Sequence, residues 1–459
     1  MLHAMGKPRT LIDAYRPLRG LMERFGVAKV WILGEWCVII SRAEDARLIY
    51  SKPELFPKRI LSDMLPNSFW ARYLGRSILY SNGQEWKRHR KVTNPAFVGK
   101  WPTEVFGECA IQLIHAIERE IFHPKDIHCL MQRLTLDALG KIGFGFNFNA
   151  LLDPEGPYVT LYDKLTQAME KITYMYIPPL DTPSNPFRKP DFENVEAFEQ
   201  LLLEVVKKRM REFKTTGESK ENKDILSSMI SASMEENDSN FSERDLLENL
   251  KVFFLAGHDT TANSLACVMY YLAKYPEAQA KAREQVLELL GDSHYQAPTY
   301  EQQEKMTYLT QVIKEVLRLC PSVAYLPDRY TKETTTFGDF TIPPNIPVIV
   351  HIYGIHRNPA YWTNPDEFDP SRFEEGKVIT PGTWMPFGGG VRQCVGMSFS
   401  MVEQRVVLSM LLRHFEWTLP EDSIHKDGLI ASQKATLVSA VDLGIIFTER
   451  EQRKVNPRR

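Results

Sequence analysis

Long apolar runs are missing from this sequence. Nowhere do 18 apolar residues follow one another, which excludes a transmembrane helix of ordinary length. The N-terminal stretch Met1–Leu18 carries Lys7, Pro8, Arg9 and Arg16 but no apolar core, which excludes a secretory signal peptide. Cysteine is scarce: the six residues (Cys37, Cys109, Cys129, Cys267, Cys320, Cys394) show no C-x-x-C spacing. That argues against a zinc site or a disulfide scaffold, and for a reducing compartment. Charge of one sign is not in excess either, with a net of −2, so nothing points to nucleic acid. No G-x-G-x-x-G follows a predicted strand, so the chain carries no flavin or nicotinamide domain of its own.

The stretch Phe387-Gly388-Gly389-Gly390-Val391-Arg392-Gln393-Cys394-Val395-Gly396 stands out. An apolar, proline-free segment, Met397 to Phe415, follows at helical spacing. Cys394 therefore sits on a glycine-rich loop just before a helix. Backbone N–H donors and the positive helix end are expected to lower its pKa. Gly390 and Gly396 are expected to let the backbone approach something flat and bulky. A thiolate held this way is a ligand for haem iron. A lone cysteine on a turn is usually inert. Five fixed positions, F-x-x-G-x-R-x-C-x-G, arise by chance in roughly one chain in 10⁴ at average residue frequencies.

A second constellation lies on a long helix. Ser242 with Asp245 three residues later forms a capping-box pattern, and the apolar periodicity runs from Leu246 to Tyr275, stopping at Pro276. Such a helix spans roughly 45 Å. Its middle reads Ala256-Gly257-His258-Asp259-Thr260-Thr261, an unfavourable composition for a helix centre. Thr260 is expected to bond back to the Ala256 carbonyl and open the helix locally, while Gly257 leaves room for a ligand. His258 is not read as an iron ligand.

Upstream, Gly83–Lys91 (GQEWKRHRK) places Trp86 and Arg90 four apart, on one helix face. An indole N–H and a guanidinium pointing the same way clamp a carboxylate. Such basic runs are more often solvated helix faces, and Lys87, Arg88 and Lys91 point elsewhere. Downstream, Glu315 and Arg318 form an i, i+3 pair of a kind that contributes little when exposed. Arg372 follows in Phe368-Asp369-Pro370-Ser371-Arg372-Phe373.

The remaining elements are coarser. A hairpin is predicted over 27–41 with Gly34-Glu35 at its turn, a helix over 43–50, and an irregular stretch over 53–82. Helices are predicted over 103–121, 127–142, 157–177, 194–213, 277–290 and 306–320. Between two of them, Pro178–Pro190 holds five prolines in 13 residues, which reads as a lid loop or a plain linker. Lys214–Asp238 is polar and exposed around a short helix. Strands are predicted over 335–342, 347–352, 416–419 and 435–447.

Taken together, these motifs resemble the cytochrome P450 family of haem-thiolate monooxygenases, in its eukaryotic, fungal-like microsomal form without an N-terminal anchor. The resemblance runs from Trp86 to Gly396. It implies a mainly α fold with a smaller β-rich lobe, built from 27–82, 335–352 and 416–447, with one domain over 1–459. It implies haem b between the Thr260 helix and the Cys394 helix, with Cys394 as iron ligand. Trp86, Arg90, Arg392 and Arg329 would hold the propionates, and Phe387, Gly388, Gly396 and Ala256 would lie against the macrocycle. Thr260 would donate a hydrogen bond to dioxygen, Asp259 would feed it protons, and Glu315 with Arg372 would brace the cysteine loop. The reaction implied is hydroxylation or epoxidation of a small apolar substrate, with Phe69, Phe253, Phe254, Ala324, Leu326 and the turn near 430–437 around the pocket. Electrons would come from an NADPH-dependent reductase carrying two flavins, docked on the Lys87, Arg88 and Lys91 surface. The expected location is the cytoplasmic face of the endoplasmic reticulum membrane through peripheral contact or a truncated anchor, with a soluble cytoplasmic protein as the alternative. A peroxide-using or lipid-rearranging haem-thiolate enzyme and a non-catalytic haem sensor are the competing functions. The Asp259-Thr260 pair argues against both.

Overall fold

The structure, a computed structural model, describes residues 9–450 apart from 33–34, 120–122, 172, 175–176, 217–223, 236–241, 294, 327–328 and 435–436. The N-terminal residues to Pro8, the turn at Gly34, the helix end at Ile121, most of the polar 214–238 stretch and the tip at 435–436 lie outside the described residues.

After the short strand Arg9–Thr10 comes helix α1 (Leu11–Phe25), which is not among the predicted elements and contains Pro17. Burial of Tyr15 and Met22 holds the helix together around that proline, and Gly26 ends it at φ 66°. The predicted hairpin is present as β1 (Val27–Ile32) and β2 (Glu35–Ile40), paired antiparallel from Val27↔Ile40 to Ile32↔Glu35. Helix α2 (Ala43–Ser51) follows. The stretch expected to be irregular contains α3 (Phe69–Leu74), started by the Ser68 hydroxyl, which accepts the Ala71 N–H.

The helical body comprises α4 (Gly83–Thr93), α5 (Thr103–Glu118), α6 (Ile127–Leu139), α7 (Pro157–Met169), α8 (Lys189–Thr216), α9 (Ile225–Glu235), α10 (Glu243–Lys274), α11 (Pro276–Leu290), α12 (Thr307–Leu319) and α13 (Met397–His414). Helix α7 ends at Met169 rather than Ile177. Helix α8 begins at Lys189 rather than 194, because Pro190 falls in its first turn, where a missing N–H costs nothing. The proline-rich segment between them is tied down. Buried Arg188 donates to Asp181 and Asp191, each at 2.7 Å, and the Asp181 carboxylate accepts the Phe69 N–H of α3 at 3.1 Å.

Strands gather at the periphery: β3 (Arg329–Tyr330), β4 (Thr335–Phe337), β5 (Phe340–Ile342), β6 (Pro347–Val350), β7 (Phe415–Thr418), β8 (Ile430–Lys434), β9 (Leu437–Ala440) and β10 (Gly444–Glu449). One sheet has the order β1-β2-β6-β3, with β2 and β6 parallel through Val38↔Val348. The predicted strand 335–342 is the hairpin β4–β5, turned at Gly338 (φ 54°). The predicted strand 435–447 is two strands in different sheets, parted at Asp442 (φ 49°).

Helix α10 is the axis of the molecule. Its capping box is complete: the Ser242 hydroxyl accepts the Asp245 N–H at 3.1 Å, and the Asp245 carboxylate accepts the Ser242 N–H at 2.7 Å. Ala262, Leu265, Ala266, Val268 and Met269 are buried in one large apolar cluster shared with α5, α6, α12 and α13. The mid-helix glycine belongs to this packing. A Cβ on Gly257 would lie 3.0 Å from Leu139 Cδ2 of α6. Gly257 therefore permits close helix–helix approach and does not make room for a ligand, as had been expected.

Candidate active site

The Cys394 loop is closed by its own backbone. The Cys394 N–H donates to the Phe387 carbonyl at 3.0 Å, and the Gly388 N–H to the Met385 carbonyl at 3.0 Å. Gly390 has φ 65°, and a Cβ there would come within 2.4 Å of the Tyr50 carbonyl oxygen at the end of α2. Gly390 thus seats the loop on α2; the expectation that it faces a flat ligand was wrong. Gly396 is different: a Cβ there would meet only Cys394 Sγ, at 3.9 Å, and otherwise open space.

Cys394 itself is surrounded by protein at long range, yet its surface is open, so it stands on the wall of an internal cleft. Burial pushes its thiol up, while the Gly396 and Met397 N–H groups and Arg90 pull it down. The expected donors are present, but desolvation outweighs them, which corrects the predicted net lowering. A cation at Sγ deprotonates such a thiol outright.

Around the loop stands a group of cations without anions. Arg392 donates to the Ser81 carbonyl at 2.8 Å and to Asn82 Oδ1 at 3.2 Å, and it lies 4.4 Å over the Trp86 ring. Its Nε and Nη1 are buried with no partner. Burial, Arg329 and Arg90 push its pKa down to about 9. Arg90 donates to the Gln393 carbonyl at 3.0 Å, and buried Arg329 to the Phe56 carbonyl at 2.8 Å. Lys58, which sequence reasoning missed, is a fourth member. It is buried, donates to the Leu79 carbonyl at 2.8 Å, and is held well below its usual pKa by burial, Arg329 and Arg392. Among the described residues no carboxylate pairs with any of the four. Lys87 and Lys91 are exposed on α4, whereas Arg88 is half-buried.

Across the cleft, Ala256 is exposed and Leu255, Gly257 and Thr260 are half-exposed, between buried stretches of α10. The Thr260 hydroxyl donates to the Ala256 carbonyl at 2.7 Å, as expected. The Thr260 carbonyl accepts from Ser322 at 2.7 Å, a contact that no local pattern signals. Asp259 turns the other way: its carboxylate accepts from Gln132 at 2.9 Å and faces His258 at 3.2 Å. Burial raises its pKa, but His258, Gln132 and His128 together hold it below the usual range. Among the described residues no hydrogen bond joins Asp259 to Thr260.

The bracing network differs in one respect from expectation. Glu315 and Arg318 are wholly buried, not a surface pair. Arg318 donates to both Glu315 oxygens, at 2.7 and 2.8 Å, and Arg372 reaches Glu315 at 3.3 Å. Sequence reasoning also missed His356. Its Nδ1 donates to the Arg318 carbonyl at 3.2 Å, and its Nε2 accepts the Met385 N–H at 2.9 Å, just before the cysteine loop. Burial and Arg318 push His356 down to about 3, so it stays neutral and can play both roles.

Several expected pocket residues are core. Phe69 lies beneath the Arg188 guanidinium, Phe253 against Phe97, and Phe254 against Phe144 and Phe198. Ala324 is buried, and Leu326 is partly open beside Gly388. Trp70, Leu255 and Leu437 line a cavity instead.

The model for the family described as "Cytochrome P450" matches residues 16–438. The chain belongs to the cytochrome P450 family. Cytochrome P450 4F3 of Homo sapiens is 29% identical over 427 residues, covering 86% of this chain and 79% of its own. Cytochrome P450 4A2 of Rattus norvegicus is 30% identical over 423 residues, with 86% and 79% covered. The crystal structure of the cytochrome P450DA heme domain superposes with a TM-score of 0.85 at 23% identity, over 98% of this chain and 95% of that one. The P450 fold, mainly α with small sheets, is therefore shown. So is the general activity, haem-thiolate monooxygenation with haem as cofactor and a redox partner as electron source. The site fits that cofactor. A thiol on an N–H-lined loop suits the metal, and unpaired buried guanidinium atoms suit two carboxylates.

Proposed function

We propose that this P450 oxidises a small apolar substrate with Cys394 as the sole protein ligand to haem iron. Haem, when bound, supplies the reductive activation of dioxygen. Everything else falls to side chains of this chain. Trp86, Arg90, Arg329, Arg392 and Lys58 hold and neutralise the two carboxylates, while Phe387, Gly388, Gly396 and Ala256 shape the faces against which a flat ring rests. Thr260 holds a proton at Oγ1 on the cleft side of α10, and Asp259 resupplies it. The chain acts as one domain. The observation that carries this reading is the cluster of cations without carboxylate partners beside a thiol faced by the N–H groups of Gly396 and Met397.

Electrons come from an NADPH-dependent two-flavin reductase docking through Lys87 and Lys91 of α4, which are exposed near the cysteine loop. The protein works at the cytoplasmic face of the endoplasmic reticulum. No helix among the described residues is long and apolar enough to cross a membrane. Exposed Ile177, Leu180 and Phe187 on the α7–α8 connection supply a peripheral apolar contact. Detergent-free fractionation separates this location from a soluble one.

The test is Thr260→Ala. The variant should bind haem normally but release several-fold more hydrogen peroxide per product formed. Unchanged coupling refutes the proton role of Thr260.

A further inference from the structure

Helices α6, α7 and α10 bound a cavity of about 220 Å³ whose walls include His128, Gln132, Arg133, Tyr162, Asp163 and Asn263, together with His258 and Asp259. His258 is buried and its hydrogen bonding fixes one nitrogen. Nδ1 lies 2.6 Å from the Phe254 carbonyl, which can only accept, so Nδ1 keeps its proton. Nε2 is then the exchangeable position, and it lies 3.2 Å from Asp259 Oδ1. The same oxygen accepts from Gln132 at 2.9 Å. The Tyr162 ring meets His258 edge-on at 4.7 Å. Its buried hydroxyl comes near Asp259 without a well-formed hydrogen bond to any group. An unpartnered hydroxyl beside a buried ion pair, in a cavity large enough for several waters, marks a place where protons are exchanged.

We propose that His258 is a positioning residue that stores, at Nε2, the proton that Asp259 passes towards Thr260. The proposal rests on the reading of Asp259 and Thr260 as the proton route. The proton moves from His258 Nε2 to Asp259 Oδ1, leaving a neutral imidazole and a neutral acid. The acid then turns from Gln132 and gives the proton up on the Thr260 side. Water in the cavity returns one proton to Nε2. The pair ends as it began, one proton has crossed α10, and no electron has moved.

The surroundings support an ionised pair at rest. Burial disfavours charge on His258, but Asp259, the Phe254 carbonyl and Asp163 outweigh it and hold the imidazole above its usual range. Facing groups from the other elements are His128 and Arg133 on α6, Tyr162 and Asp163 on α7, with Glu170 just beyond its end, and Tyr73 on α3. Arg133 draws on Asp163, which leaves Asp259 as the nearest counter-charge to His258.

Two measurements test the proposal. The first uses ¹⁵N-histidine-labelled holoprotein in its diamagnetic reduced, carbon-monoxide-bound form, titrated by NMR. His258 should titrate above the ordinary 6.5 and fall on Asp259→Asn. Titration at or below that value, or no response to Asp259→Asn, overturns the proposal. The second compares reductase-driven with peroxide-driven turnover. His258→Gln can keep a hydrogen bond to the Phe254 carbonyl but stores no proton. It should release several-fold more peroxide in the reductase-driven reaction and leave the peroxide-driven reaction unchanged. If His258→Gln stays coupled while Thr260→Ala uncouples, the storage role fails and the Thr260 route stands. If both stay coupled, both fail. If His258→Gln does not fold, the titration of the unsubstituted protein decides.

Discussion

Replacing Arg318 by alanine tests the brace beneath the cysteine loop. The guanidinium is wholly buried and donates to both Glu315 oxygens and to the carbonyls of His356, Pro365 and Glu367, with distances between 2.7 and 3.0 Å. It also lies 5.1 Å over the Trp362 ring. Among the described residues, its removal leaves Glu315 with the Asp369 N–H at 2.9 Å and Arg372 at 3.3 Å. Breaking a buried pair from one side costs about 3–5 kcal/mol. Each orphaned carbonyl adds up to about 1–3 kcal/mol unless water enters the space left by the side chain. Arg318→Ala should therefore lose at least about 4 kcal/mol from a total of about 5–15 kcal/mol. Urea unfolding followed by tryptophan fluorescence, with the bound-haem fraction recorded in parallel, reads this directly. Adding Glu315→Gln should recover part of the loss, because the stranded carboxylate is then neutral. A loss below about 1 kcal/mol, the value of an exposed pair, would refute the reasoning.

Two further predictions use groups whose burial is unpaid for in the protein alone. Arg392→Met should raise the stability of the haem-free protein by about 1–2 kcal/mol, because it removes a buried charge and relieves its repulsion with Arg329 and Arg90. The same change should speed haem loss to an acceptor protein about tenfold, equivalent to about 1.4 kcal/mol. A haem-free protein that is less stable, or haem loss no faster than in the unsubstituted protein, contradicts the cation cluster. Glu403, in α13, is wholly buried, and neither carboxyl oxygen has a hydrogen-bond partner. Burial pushes its carboxyl well above the usual range. The unfolded chain therefore releases this proton first. Stability is fully present below the unfolded pKa of 4.5 and fades as pH rises towards the folded value. Glu403→Gln should match the parent at low pH and gain on it by up to about 1.4 kcal/mol per pH unit above 4.5, measured by urea midpoints. Parallel curves would mean that Glu403 is answered by a group inside the core.

What could be read in advance was what lies close together along the chain. Cys394 and its glycines, the Ala256–Thr261 run, the Ser242 capping box and the i, i+3 pair of Glu315 and Arg318 are local patterns with local physical reasons. The unread parts join distant residues. Lys58 reaches the site because the stretch 53–82 folds back beside Arg329, and its antiparallel bridge to Arg329 crosses most of the sequence. Ser322 and His356 act through carbonyls that no periodicity points to. Gly257 and Gly390 were legible as required glycines, but their neighbours, Leu139 and Tyr50, were not. The pocket phenylalanines were misplaced for the same reason. An apolar residue on α10 has the same pattern whether it packs against Phe97 and Phe144 or faces a cleft. Helix α1 was not predicted; it forms around Pro17 with Tyr15 and Met22 buried against distant parts of the chain.

The central claim is that Cys394 Sγ binds the haem iron as a thiolate. The most direct measurement is the absorption spectrum of the reduced, carbon-monoxide-bound holoprotein beside that of Cys394→His. The unsubstituted protein should show the strongly red-shifted Soret band of a thiolate ligand, and the variant should revert to the position of histidine-ligated haem. A Soret band at the histidine position in the unsubstituted protein, with haem fully bound, would contradict the account.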